Sequence, residues 1–127
     1  MVGEALVKLP IEAGWRLLNQ MDTAGLDITV AYWKYIEEHD DWFLILSSPN
    51  VFTQGALPTV RVIQHLLSEM SDEEKGDLSL QNLIVVNPYL LEIENLRARY
   101  GSVTEEKGRL IRRMSLSQSE PFIYRLT

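Results

Sequence analysis

Leu26-Asp27-Ile28-Thr29-Val30-Ala31-Tyr32-Trp33-Lys34-Tyr35, the charged run Glu37-Glu38-His39-Asp40-Asp41, and then Trp42-Phe43-Leu44-Ile45-Leu46 decide how this chain folds. The first stretch alternates and is rich in β-branched and aromatic residues, the composition of a strand, and the charged run reads as a turn. The second stretch is an unbroken apolar run, as expected for a strand covered on both faces. Together they predict a β-hairpin whose second strand is buried on both sides.

Upstream, Ile11, Trp15, Leu18 and Met21 recur at helical spacing, and Gly25 stands where a helix commonly ends on a left-handed glycine. Downstream, Ser47-Ser48-Pro49-Asn50 ends the strand. Val60, Ile63, Leu67 and Met70 then form the apolar stripe of a second helix, with Arg61, His65 and Ser68 on its other face. An acidic loop over 71–77 leads to a third strand, 80–86, which closes on Leu-Ile-Val-Val. Asn87 can cap and Pro88 can open a third helix carrying Leu90, Ile93, Leu96 and Tyr100, which Gly101 closes. Residues 109–116 and 122–126 read as two strands joined by Ser117-Gln118-Ser119-Glu120-Pro121. The order α-β-β-α-β-α-β-β predicts an α+β (or α/β) fold: one mixed β-sheet with helices packed on it, in a single domain spanning 1–127.

At 127 residues the chain can bury about two-thirds of its unfolded surface around one core. Without cysteine it has no disulfide, thiolate zinc site, iron–sulfur cluster or cysteine nucleophile. No apolar stretch approaches the roughly 18 to 20 residues of a membrane span, and Glu4 precedes any basic residue, so a cytoplasmic protein with no membrane partner is expected. The formal charge of −6 argues against broad nucleic-acid binding. The charge is unevenly spread. Residues 1–96 hold five basic and fifteen acidic side chains, whereas 97–127 hold seven basic and three acidic ones.

Trp42-Phe43-Leu44-Ile45-Leu46-Ser47-Ser48-Pro49, followed by a glycine before a helix, and the terminal Phe122-Ile123-Tyr124-Arg125 resemble short bacterial proteins that show Trp-x-Leu-x-Ile-x-Ser-Pro and end near Tyr-Ile-Tyr-Arg. Phe122 departs from that pattern, standing where the first tyrosine usually lies. The resemblance implies a bacterial origin and carries no activity, cofactor or site residue with it.

Two surfaces are candidates for function. If the second and third strands are parallel neighbours joined by the second helix, their carboxyl ends share one edge of the sheet, where open α/β sheets tend to bind ligands. That edge would gather Ser47, Ser48, Asn50, Thr53, Gln54 and Asn87, short polar groups suited to a small anion or polar ligand and equally to helix capping. In 109–116, alternation puts Arg112 among apolar neighbours. Arg112, and with it Tyr124 and Arg125, is then an edge residue with a packed stem, a partner of a buried carboxylate, or part of an interface with a second copy of the chain. A non-catalytic interaction or ligand-binding protein, with a homodimer as one form, is therefore expected, with no cofactor.

The alternative is a metal-dependent hydrolase, most concretely a nuclease. Asp27 could begin its carboxylate set, but Asp40 and Asp41 are followed only by apolar residues before Ser47, where an acid-x-Lys pair is required. His65 lies on a polar helix face and His39 in a charged turn that lacks calcium-loop spacing. Ser47 and Ser48 lack Gly-x-Ser-x-Gly flanks, and no phosphate-loop or dinucleotide glycine motif occurs. No catalytic residue and no metal ligand is assigned.

Overall fold

A computed structural model describes residues 10–76, 78–104 and 121–127. Its centre is a hairpin of β1 (Val30–Ile36) and β2 (Asp41–Ser47), paired from Val30 opposite Ser47 to Ile36 opposite Asp41. The charged turn between them is a 3-10 turn, Glu37–His39, closed by Asp40 at φ 49°, a left-handed conformation that aspartate tolerates. β3 (Leu83–Val86) lies parallel to β2, and β4 (Phe122–Leu126) lies antiparallel to β1, so the order is β3-β2-β1-β4. One mixed sheet with packed helices is as the sequence predicts, and the second and third strands are the parallel neighbours on which the candidate sheet edge depends.

α1 (Ile11–Thr23) and α3 (Leu57–Glu69) cover one face of the sheet. Leu17, Leu18 and Met21 of α1 and Ile63 and Leu67 of α3 pack there on Ala31, Trp33, Leu44, Leu46, Phe122 and Tyr124. α5 (Leu91–Tyr100) covers the other face, setting Ile93 and Leu96 against Val30, Tyr32, Ile45, Ile123 and Leu126. Helices on both sides explain why β1 is buried on both faces as well as β2. Each face of β1 carries a small residue and then an aromatic one, Ala31 and Trp33 on one side and Val30 and Tyr32 on the other. β3, in contrast, is half-buried along its whole length at one edge of the sheet, whereas β4 at the other edge is mostly buried.

Two short helices interrupt regions read as loops. Ser48 opens α2 (Pro49–Gln54), and Ser71 opens the one-turn α4 (Asp72–Lys75) through a reciprocal capping box with Glu74. The third strand begins at Leu83 rather than Leu80, after a 3-10 turn over Leu80–Asn82. α5 begins at Leu91, with Leu90 at its N-cap and no side-chain cap. Asn87 instead closes the preceding turn. The strand expected over 109–116 lies outside the described residues.

α1 ends as its glycine predicts. Gly25, at φ +87°, donates to Asp22 O and Leu26 donates to Met21 O, the paired bonds of a Schellman motif. A bulge in β4 opposite Ala31 and Tyr32 turns the consecutive Tyr124 and Arg125 toward the same helix. The Tyr124 hydroxyl accepts from Trp33 Nε1 at 2.9 Å and donates to Ile11 O at 2.6 Å, linking β1, β4 and α1.

Candidate functional site

The parallel register sets Ser47 beside Val86, so the loops that leave β2 and β3 rise from one edge of the sheet. Ser47 and Ser48 are completely buried there. The Ser47 hydroxyl donates to Val86 O, binding the two strand ends together. Ser48 Oγ accepts the Asn50 N–H at 3.1 Å and caps α2, the Thr53 hydroxyl donates to Asn50 O at 3.2 Å, and Asn87 Oδ1 accepts the Tyr89 N–H at 2.8 Å. Asn50, Thr53, Gln54 and Asn87 are exposed. The edge therefore does gather these residues, and Ser48, Thr53 and Asn87 each use a side-chain oxygen to hold the turn on which they sit.

The exposed centre of this edge is apolar. Of six large hydrophobic side chains that are exposed among the described residues, five lie here: Phe52, Leu57, Tyr89, Leu90 and Leu91. Phe52 is 61%, Tyr89 60% and Leu91 74% exposed, although phenylalanine and leucine are among the residue types most often buried. The Phe52 and Tyr89 rings meet edge to face, with centroids 5.0 Å apart and planes at 87°, an arrangement that aromatic quadrupoles favour. That contact joins the loop after β2 to the loop after β3. Sequence reading missed this cluster because it attended to the polar residues of both loops. The available signal was Pro88-Tyr89-Leu90-Leu91, four apolar residues in a row where α5 has inward positions only for Ile93, Leu96 and Tyr100.

Charged groups hold the second loop in place. Arg97 of α5 donates to Pro88 O at 3.2 Å, to Thr127 O at 3.1 Å and to Glu94 at 2.8 Å. Glu92 accepts from both Tyr32 and Lys34 on β1, fixing the first turn of α5 to the sheet. Burial pushes the Glu92 carboxyl up, but the Lys34 and Tyr32 hydrogen bonds outweigh it and leave the group below the ordinary carboxylate range. Burial, reinforced by the Glu92 charge, raises the Tyr32 phenol and keeps it neutral. Across the edge, Arg61 stands one helical turn beyond Leu57 on α3, exposed and without an ion pair among the described residues.

The other candidates are dispersed. Tyr124 is buried in the core, where burial raises its phenol, and its hydroxyl is engaged within the chain. Arg125 forms a two-pronged pair with Asp22 at 3.0 and 2.8 Å and also donates to Ile28 O at 2.8 Å. Arg112 lies outside the described residues. His65 is exposed beside Glu69 at 3.5 Å, and the His39 ring meets Phe43 edge to face. Asp27 precedes β1, whereas Asp40 and Asp41 adjoin its far end, so a seven-residue strand of roughly 20 Å separates these carboxylates. Among the described residues no group of three His, Asp or Glu side chains could hold a metal ion, and no helix is long and apolar enough to cross a membrane. Comparison with protein-family models, with curated proteins and with solved structures gave no match.

Proposed function

We propose that this chain is a non-catalytic interaction protein of the bacterial cytoplasm, a single domain that binds a partner at the carboxyl edge of its sheet. The bacterial origin follows the strand-motif resemblance alone. The observation that carries the functional reading is the exposed Phe52–Tyr89 pair, held edge to face amid Leu57, Leu90 and Leu91. Large apolar side chains clustered on a surface mark association sites, because covering them removes apolar area from water. Asn50, Thr53, Gln54 and Asn87 supply a polar rim to this apolar centre, the usual anatomy of a protein interface. The rim also offers polar groups for a small anion or polar ligand, a use that would accompany partner binding rather than require a separate site.

A photo-reactive aromatic residue introduced at Tyr89 in living cells tests the reading. The expected result is a discrete adduct that disappears when Leu91 is replaced by Asp, with the unfolding midpoint unchanged. Absence of any adduct from the folded protein would overturn it.

A further inference from the structure

We infer that the occupant of this edge is a second copy of the same chain, related by a two-fold axis through the Phe52–Tyr89 pair. The inference rests on the reading of the edge as a binding surface. It follows from how charge is laid out across the apolar cluster. Because α3 and α5 lie on opposite faces of the sheet, the cluster runs from one layer to the other: Leu57 on α3, then Phe52 and Tyr89, then Leu91 on α5. At the α3 end Arg61 follows Leu57 by four residues and so shares its helix face. At the α5 end Glu94 follows Leu91 by three, beside Glu92 in the same first turn.

The surface thus carries a cation, Arg61, at one end and the exposed Glu94 carboxylate at the other, with apolar side chains between, Glu92 being turned to Lys34 and Tyr32. A two-fold axis perpendicular to the line between these ends superposes the surface on its own reverse, so each Arg61 meets Glu94 of the other copy and like charges stay apart. Such rim pairs set orientation more than affinity, which the five apolar side chains supply. Arg61 has no ion pair within its own chain among the described residues, so docking requires no existing pair there to break. Glu94 shares its carboxylate with Arg97, which keeps two carbonyl partners in any case.

Sedimentation of the full chain across a range of concentrations tests the inference, with circular dichroism confirming that each variant folds. Wild type is expected to pass from monomer to dimer mass. Leu91→Asp is expected to weaken association by about tenfold or more, as loss of a central apolar contact does. Arg61→Glu is expected to weaken it less, and adding Glu94→Lys to restore it, a rescue that only opposed ends predict. Monomer mass for wild type at every concentration, or a dimer indifferent to both Leu91→Asp and the charge reversals, would overturn the second copy as occupant. The Tyr89 adduct separates the two readings. An adduct containing a different protein removes only the second copy, whereas no adduct together with monomer mass removes the binding surface too.

Discussion

Gly14 shows how a single residue fixes the packing of α1 on the sheet. A Cβ there would collide with the Tyr124 hydroxyl and lie 3.3 Å from Trp33 Nε1, both of which are fully buried. Gly14→Ala is therefore expected to destabilise the protein by about 1–3 kcal/mol in urea unfolding. Tyr124→Phe leaves the Trp33 N–H and Ile11 carbonyl without their partner and should cost about 1–3 kcal/mol. Because the phenylalanine also removes the atom that Gly14→Ala strikes, the double variant should be less destabilised than the two single effects combined. Strict additivity would show that the close approach is not the cause. Glu92 gives a pH dependence with a definite sign. Its folded carboxyl titrates below its unfolded value, so its contribution is complete above the unfolded range and is lost as pH falls through the lowered one. Glu92→Gln should flatten the acid limb of a stability-against-pH curve, and an unaltered limb would contradict the Lys34 and Tyr32 attachment.

At the scale of elements, the turns at the sheet edge divide stability from recognition. Ser48→Ala removes the α2 cap and is expected to cost about 0.5–2 kcal/mol. Asn50→Ala should cost far less, because Asn50 takes part in that cap through its backbone N–H and its side chain is exposed. Thermal or urea unfolding of the two variants reads the difference directly, and equal losses would show that the Asn50 side chain holds the turn as well. The strands and the two long helices, α1 and α3, were legible because two-sided burial leaves plain apolar runs and helices facing a core leave stripes at 3.6 spacing. Gly25 was legible for a local reason, its left-handed cap. Less visible were α2, which rests on one buried valine, Val51, and α4, whose Ser71–Glu74 capping box is the only sign of a helix in a run of charge. The start of α5 shifted because Asn87 bonds to the next turn rather than to the helix. The bulge in β4 that turns the neighbours Tyr124 and Arg125 toward one helix leaves no trace in the side-chain period.

For the whole molecule, a sheet covered by α1 and α3 on one side and by α5 on the other places two loops at a single edge, where five of the six exposed large apolar side chains among the described residues lie. Of the polar residues gathered there, Ser48, Thr53 and Asn87 hold their turns through side-chain hydrogen bonds, while Phe52, Leu57, Tyr89, Leu90 and Leu91 face water. Which loop residues point outward depends on the parallel pairing of β2 with β3 and on the Arg97 contacts that pin 88–90, neither of which leaves a periodic trace in the sequence. Exposure of this kind makes Leu91→Asp a change that leaves the lone folded chain within about 0.5 kcal/mol of wild type while association is weakened by about tenfold or more. The central claim, that the apolar edge is a binding surface, is tested most directly by native mass spectrometry of the protein released gently from its own cells, wild type beside Leu91→Asp. The account predicts a non-covalent complex for the wild type and the mass of the bare chain for the variant. A bare chain in both, or one complex that persists unchanged in the variant, would contradict it.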